Sequence, residues 1–159
     1  MTIANPDVDY VKDRLELRSI YVNSSPLARL RIIRKRLTNT EIGATRLITI
    51  VSGVEALARS LVVHAKTKHG SKIEPIYQSH KDRNADVLVE DVLNAYKQKS
   101  PSEYFSEDTW PLFREAVSFR NLIVHECTFL GQDKYPSLIQ AAEEVLEALV
   151  VVCGLEEPR

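Results

Sequence analysis

The sequence predicts an all-α fold, in which five or six helices form one bundle. Apolar residues recur at spacings of three and four over most of the chain, which is typical of amphipathic helices. Strict alternation of apolar and polar residues, the pattern of a half-buried strand, never persists. A chain of 159 residues is also the size of one domain with its own core. We therefore expect a single domain over residues 1–159, with a core at about 38–154 and the helices of residues 8–37 packed on it.

The N-terminal part of the chain predicts two helices. Residues 8–21 have an amphipathic pattern, which the sequence NSSP interrupts. A second apolar stripe then follows at Leu27, Leu30, Ile33 and Leu37. Ser25 is suited to the N-cap of this second helix and Pro26 to its first turn, so we expect the helix to begin there.

Residues 38–68 predict the longest helix, which should be the central one. Thr38, with Glu41 three residues later, matches a capping box and should open this helix. Gly53 near its middle indicates the close approach of another helix. The apolar stripe that should be buried consists of Leu47, Val51, Val54, Ala58, Leu61 and Ala65, widened by Ile50, Leu57 and Val62.

The second half of the chain predicts three more helices. Residues 69–84 have the composition of a loop, residues 86–99 favour a shorter helix, and residues 100–108 form a second loop. Thr109 can cap a helix that has Pro111 in its first turn and runs to about Cys127. The sequence GQDKYP precedes a last amphipathic helix, which Gly154 can close. Its core face should hold Leu138, Ala142, Val145, Leu149 and Val152, opposite Glu143, Glu144 and Glu147.

The chain has the features of a cytoplasmic protein in a reducing compartment. Its N-terminus carries charges throughout and has no apolar signal segment, and apolar runs such as ALVVVC are too short to cross a bilayer. The two cysteines, Cys127 and Cys153, do not form a CxxC pair, and no histidine lies near them at the spacing of metal ligands. We therefore expect no metal site. We expect both to be small core residues, and we expect no cofactor and no membrane contact.

Charge is distributed unevenly along the chain. Residues 1–80 contain 13 Lys and Arg against 7 Asp and Glu, whereas residues 81–159 contain 8 against 15. Much of the positive charge lies in one segment, at Arg29, Arg31, Arg34, Lys35 and Arg36. Such a cluster can bind the phosphates of RNA, or it can be a solvated helix face that offsets the acidic half.

An arginine interrupts the apolar face of the helix predicted at residues 109–127. In the segment FRNLIVHE, Arg120 lies between Val117 and Val124 on the face that should be buried. The rest of that face is predicted to hold Phe113, Ala116, Ile123 and Cys127. A charge in this position requires a partner, a water-filled groove or a subunit interface, because an isolated buried charge is too costly.

A histidine and an amide lie close to this arginine in the sequence. His125 is five residues after Arg120 and about 140° round the helix, so the two converge only if the arginine wraps round the helix. Asn121 is four residues before His125 and can hydrogen-bond it, which would orient the ring. An oriented imidazole beside a guanidinium suits attack by an RNA 2′-OH, since the imidazole moves the proton and the guanidinium stabilises charge on the phosphate. These three residues are the predicted catalytic group.

The segment RNLIVH, residues 120–125, resembles the Arg-polar-x-x-x-His signature of the HEPN superfamily, all-α proteins many of which are metal-independent endoribonucleases. It lies in the penultimate helix, and VSGVEALARSLV resembles the long early helix of bacterial members. The resemblance implies a HEPN-like bundle, an RNA substrate and a homodimer in which both motifs line one cleft. It also implies a role as a toxin, in phage defence or in RNA processing, with a neutralising antitoxin or another protein partner in the first case.

Two acidic residues can support this site. Glu55 on the central helix can face the same cleft and orient Arg120, or it can simply pair with Arg59, four residues later. Glu126 can act on the charge of His125, or it can face solvent.

Other interpretations of the motif remain open. A second match to Arg-x4-His, from Arg59 to His64, is discounted because Arg59 lies off the buried stripe beside Glu55. The alternative to an enzyme is a catalytically silent HEPN-like dimer that holds Arg120 in an interface ion pair and binds a nucleotide, RNA or protein partner. The net charge of −1 favours this alternative, since RNA binding usually relies on a basic surface. A helical scaffold without any nucleic-acid role is the third outcome.

Overall fold

A computed structural model of the protein describes residues 4–39, 41–67, 72–128 and 131–155, and all regular structure in these ranges is helical. The all-α prediction is confirmed, but the described ranges contain eight α-helices rather than five or six. They are α1 (Tyr10–Asn23), α2 (Pro26–Leu37), α3 (Gly43–Lys66), α4 (Ile73–His80), α5 (Ala85–Ala95), α6 (Pro101–Tyr104), α7 (Thr109–Glu126) and α8 (Tyr135–Val152), with a 3₁₀ turn at Gln132–Lys134 before α8.

Helix α3 is the centre of the bundle, as predicted. It packs against α2, α4, α5, α7 and α8. Its predicted apolar stripe is fully buried from Leu47 to Leu61, and only Ala65 near its end is partly exposed. Gly53 permits the close approach of α2, because a Cβ at this position would lie 2.9 Å from Cγ2 of Ile33. The other faces of the bundle are closed by α5, α7 and α8.

Helix α3 is also long and apolar enough, by length and composition alone, to cross a membrane. The expectation that all apolar segments are too short for this is therefore wrong. The apolar window of α3 is 61% buried inside the bundle, and the core helix of a globular domain passes the same test.

The N-terminal cap of α2 follows the prediction, whereas that of α3 does not. Oγ of Ser25 accepts a hydrogen bond from the backbone N–H three residues later, and Pro26 begins α2. The predicted capping box is wrong, because Thr38 lies at the C-terminal end of α2. Glu41 instead accepts a hydrogen bond from Oγ1 of Thr49 at 2.6 Å. Helix α3 starts two residues after this glutamate, with no side-chain cap.

Two segments that were predicted to be loops contain helices. The 69–84 segment contains α4, and the 100–108 segment contains the short α6. Helix α4 turns His80 inward, where Nζ of Lys66 donates a hydrogen bond to Nε2 at 3.0 Å and Nδ1 lies 2.8 Å from the carbonyl oxygen of Ile76. These contacts fasten α4 to the end of α3 and bring the connection at residues 81–84 beside α7.

The last two long helices pack on each other and on α3. Helix α7 begins at Thr109, but the Thr109 hydroxyl does not cap it and donates to Oε2 of Glu144 on α8 at 2.6 Å. On α8 the predicted core positions are buried, except that Val152 is partly exposed: Leu138, Ala142, Val145 and Leu149. Helices α7 and α8 thereby hold the RNLIVH segment against the flank of α3.

Candidate active site

Helix α7 places Arg120 on its buried face, as the sequence predicts. The arginine is 8% exposed, and it shares this face with Thr109, Trp110, Phe113, Ala116, Val117 and Ile123. Two predicted members of the face are wrong: Val124 is 52% exposed and Cys127 is also exposed. In the last turn of α7 only Ile123 is buried, and Cys127 ends the helix in the left-handed conformation, with φ of 51°.

The guanidinium of Arg120 is held by three side chains. Its Nε donates a hydrogen bond to Oδ1 of Asn121 at 2.9 Å. Its Nη1 donates to Oγ of Ser52 at 3.0 Å and lies 3.4 Å from Oε2 of Glu55. Because Nη2 has no hydrogen-bond partner in the described part of the chain, it is the nitrogen left to bind a group in the cleft.

Glu55 contacts both Arg120 and Arg59, the two partners that the sequence offers as alternatives. One carboxylate oxygen, Oε2, contacts Arg120, and the other, Oε1, lies 3.6 Å from Nη2 of Arg59. One carboxylate therefore links two guanidiniums that are both largely buried. Such an arrangement satisfies the two arginines only in part, since two positive charges share one negative charge.

Arg120, Asn121 and His125 line one open cleft of about 520 Å³. Helix α3 contributes Ser52 and Glu55 to its wall, and the connection between α4 and α5 contributes residues 81–84. His125 lies in the last turn of α7, with its side chain exposed to the cleft. The cleft therefore brings together an imidazole and a guanidinium that helix geometry alone would place on different sides of α7.

Two predicted details of the motif differ in the structure. Asn121 was expected to orient His125, but its side-chain oxygen accepts the hydrogen bond from Arg120 instead. The amide therefore orients the arginine rather than the imidazole. Glu126 is exposed and is absent from the described lining of the cleft, in agreement with the interpretation that it faces solvent.

Sequence reasoning missed the residues that the cleft draws from other segments. Ser52, which bonds the guanidinium, had no signal beyond its position one turn before Glu55 and Ala56 on α3. Lys81, Arg83 and Asn84 line the cleft because α4 brings their connection to α7. The side chain of Arg83 pairs with Asp91 on α5, whereas Lys81 is exposed.

The second Arg-x4-His match is placed differently from the first. Arg59 pairs with Glu55, as expected, and lies in a separate pocket described below. The Nε2 atom of His64 is buried and has no hydrogen-bond partner among the described residues. Neither Arg59 nor His64 lines the cleft of Arg120.

The five basic residues of α2 do not form one surface. Arg31, Lys35 and Arg36 are exposed. Arg34 binds Glu147 on α8 through two hydrogen bonds, at 2.9 and 3.2 Å. Arg29 turns toward α1, where its Nη2 donates a hydrogen bond to the carbonyl oxygen of Tyr21. The side chains of the predicted phosphate-binding cluster thus point in three directions: some lie in solvent, one forms an ion pair with α8, and one turns toward α1.

The cysteines differ from the prediction in part. Cys127 is exposed, so the expectation of a core position is wrong for it. Cys153 is half-buried, and burial raises the pKa of its thiol to about 11 while a hydrogen bond with Tyr96 acts in the opposite direction. Within the described ranges, no three His, Cys, Asp or Glu side chains come together in a group that could hold a metal ion.

Comparison of the chain with models of known families, with curated proteins and with solved structures gives no match in any of the three. The geometry of the cleft and the motif that lines it are therefore the features that indicate a function.

Proposed function

We propose that the protein is a metal-independent endoribonuclease of HEPN type, which acts in the cytoplasm as a homodimer. The observation that carries the proposal is the single cleft that holds Arg120, Asn121 and His125. The arginine is fixed there by Asn121 and Ser52, so its remaining nitrogen is oriented before any substrate binds. Preorganised donors of this kind stabilise developing charge without reorganisation during the reaction.

The proposed reaction is a transesterification followed by release of the product. The imidazole of His125 takes the proton of an RNA 2′-OH, and the 2′ oxygen attacks the adjacent phosphorus. The bond from phosphorus to the 5′ oxygen breaks, and the leaving oxygen takes up a proton from an imidazolium or from water. Nη2 of Arg120 neutralises charge on the non-bridging oxygens. The products are a 2′,3′-cyclic phosphate end and a 5′-OH end.

The surface next to the motif supports the proposed homodimer. Leu122 and Val124 lie within the RNLIVH segment, between Arg120 and His125, and their side chains are 50% and 52% exposed. A second copy of the chain packed on this turn of α7 would bury both residues and bring a second His125 to the cleft. The proposed biological role is that of a toxin, a phage-defence nuclease or an RNA-processing enzyme, and a toxin of this type would require a neutralising antitoxin.

A second candidate function is a catalytically silent helical dimer that binds a nucleotide, RNA or protein partner. The observation that favours it is the burial of Arg120 against Glu55, which is the arrangement of a structural ion pair. In this case the arginine holds α7 to α3, and His125 is an ordinary surface histidine.

The test is cleavage of a mixed cellular RNA pool in the presence of EDTA. We expect cutting by the wild type and a loss of about 10²- to 10⁴-fold in His125→Ala, which is the range for removal of a general acid or base. His64→Ala is the matched control, because it removes the histidine of the other Arg-x4-His match, and it should keep full activity. Analytical ultracentrifugation of the same samples measures the dimer.

The two candidate functions predict different results. Cutting that persists undiminished in His125→Ala contradicts the proposed enzyme. A well-folded wild type that binds RNA without cutting it supports the silent dimer. Cutting that produces 5′-OH ends and cyclic phosphates, and that is lost in Arg120→Ala and His125→Ala alike, supports the proposed chemistry.

A further inference from the structure

A second pocket, of about 160 Å³, lies beside the cleft and is formed by α1, α2, α3 and α4. Its charged residues are three arginines, Arg18, Arg29 and Arg59, and its other polar side chains are those of Tyr21, Ser60 and Tyr77. No carboxylate is present in the described lining. We name this the arginine pocket. Four separate helices therefore point basic and aromatic side chains into one small cavity.

The three arginines of the pocket are neutralised to different extents. Arg18 pairs with Glu74 at 2.8 Å and stacks over the ring of Tyr77. Arg59 pairs with Glu55, the same carboxylate that contacts Arg120. Arg29 has no carboxylate partner in the described part of the chain.

Arg29 is held in place by uncharged groups. Its Nη2 donates to the carbonyl oxygen of Tyr21, and its guanidinium lies over the ring of that tyrosine at 5.1 Å. Burial lowers the pKa of Arg29, Tyr77 and Tyr21 act in the opposite direction, and the nearby charge of Arg59 also lowers it. These interactions fix the direction of the guanidinium but leave its charge uncompensated.

Two nitrogens in the pocket also lack hydrogen-bond partners. The Nε atoms of Arg29 and Arg59 are buried, and neither has an acceptor among the described residues. A buried donor without an acceptor is costly, and a few such groups per protein require an explanation such as a bound ion. The two Nε atoms themselves are sealed from the pocket, so an anion there would act on these guanidiniums by neutralising their charge and by accepting from their terminal nitrogens.

The charges indicate how many negative charges this anion carries. Arg59 and Arg120 share one carboxylate, Glu55, and Arg29 has none among the described residues, so these three arginines carry an excess of two positive charges over that carboxylate. A volume of 160 Å³ is smaller than that of a typical site for a drug-sized ligand and corresponds to about five water-sized groups. A phosphate group has this size, carries two charges as a monoester and matches the fork of arginine donors.

We propose that the arginine pocket binds the terminal phosphomonoester group of a nucleotide or of an RNA 5′ end. The phosphate oxygens accept hydrogen bonds from Arg29 and Arg59 at the base of the pocket, and Arg18 closes its exposed side. This function goes beyond the cleft of Arg120 and His125, because the pocket would bind a phosphate end without cleaving it.

The experiment measures binding by NMR of the arginine Nε–H groups during titration with inorganic phosphate and with adenosine 5′-monophosphate. We expect the Nε–H signals of Arg29 and Arg59 to shift together. Arg29→Gln should weaken binding by about tenfold or more, since it removes one charge-assisted contact. Arg31→Gln is the matched control, because Arg31 lies on the same helix but is exposed. The affinity of this variant for phosphate should stay within about twofold of the wild type.

Two further arms separate the sources of the phosphate. Short RNA oligonucleotides with a 5′-phosphate or a 5′-OH are titrated into His125→Ala protein, so that cleavage cannot remove the probe. Binding of the monophosphate but not of the phosphorylated oligonucleotide assigns the pocket to free nucleotides, and binding of both includes RNA ends. Arg18→Gln gives the same information at a half-buried position if Arg29→Gln fails to fold.

Three results would overturn the proposal. The first is an absence of any phosphate-dependent shift at Arg29 and Arg59 in the folded wild type. The second is equal weakening by Arg29→Gln and by Arg31→Gln, which would indicate a diffuse effect of charge. The third is equal binding of the 5′-OH and 5′-phosphate oligonucleotides, which would indicate recognition of the RNA backbone rather than of its end.

Discussion

The cleft and the arginine pocket lie next to each other along α3, and each contains a largely buried arginine. In the cleft, Arg120 is bonded to a carboxylate, a hydroxyl and an amide. In the pocket, Arg29 donates to a backbone carbonyl and lies over an aromatic ring, and it has no carboxylate partner among the described residues. A protein can thus keep a buried guanidinium either by pairing its charge or by leaving that charge for an anion to neutralise. The first arrangement stabilises the empty protein, and the second favours a bound state.

Glu55 connects the two regions. It contacts Arg120 of the cleft through one oxygen and Arg59 of the pocket through the other. An anion that binds Arg59 would compete with the carboxylate of Glu55 for this arginine. Glu55 would then associate more closely with Arg120. The energies of the two regions are therefore coupled, and the following substitutions test how strongly.

The largest effect is expected from Glu55→Ala. This substitution leaves two largely buried guanidiniums without their carboxylate, and we expect it to lower the free energy of unfolding by about 2–3 kcal/mol, below the range for a fully buried pair. Urea denaturation followed by circular dichroism measures the change. If 50 mM phosphate restores more of the loss in Glu55→Ala than it adds to the wild type, the shared charge is the cause. A loss below about 0.5 kcal/mol, as is usual for a surface position, would show that the pair is already solvated.

Smaller effects, which differ between the two variants, are expected when the two arginines themselves are replaced. Arg120→Met removes three side-chain contacts while Glu55 keeps Arg59, so we expect a loss of about 1–2 kcal/mol. Arg29→Met removes a charge that has no carboxylate partner among the described residues, and the free energy of unfolding should stay within about 0.5 kcal/mol of the wild type. Both are measured by urea denaturation in phosphate-free buffer. Equal losses in the two variants would break the comparison, since both arginines would then be structural.

The cleft was more predictable from the sequence than the pocket. Helical periodicity placed Arg120 on the buried face of α7, and the Arg-x4-His spacing identified His125 as a candidate. These are local patterns on single helices, for which periodicity is informative. Periodicity failed at the end of α7, where Val124 is exposed because the packed part of the helix ends one turn earlier.

The pocket requires four helices, and one of them was not predicted. The composition of residues 69–84 predicts a loop, although Ile73, Ile76, Tyr77 and His80 have the spacing of one helix face. Without α4, Tyr77 has no place beside Arg29 of α2 and Arg59 of α3. The basic residues of α2 were likewise read as one cluster, because their sequence does not show that each turns toward a different neighbour.

Gly53→Ala should affect the pocket more than the cleft. The added Cβ would meet Cγ2 of the buried Ile33 at 2.9 Å and push α2 away from α3. Overpacking costs about 1–3 kcal/mol and the gain in helix propensity returns about 1 kcal/mol, so we expect a net loss of about 1 kcal/mol. Because α2 carries Arg29, phosphate binding should weaken while RNA cleavage changes less. An equal decrease in both activities would mean that α3 itself is distorted.

The smallest effect is expected from Glu147→Gln. Arg34 binds Glu147 with two short hydrogen bonds, but the Glu147 side chain is 56% exposed. Exposed pairs contribute little, so we expect a loss of about 0.5 kcal/mol or less. In 1 M NaCl, where the Debye length is about 3 Å, this loss should disappear, whereas the loss in Glu55→Ala should largely remain. If salt removed both losses, the carboxylate of Glu55 would be as accessible to water as that of Glu147. The distinction between a paired and an unpaired buried arginine would then no longer hold.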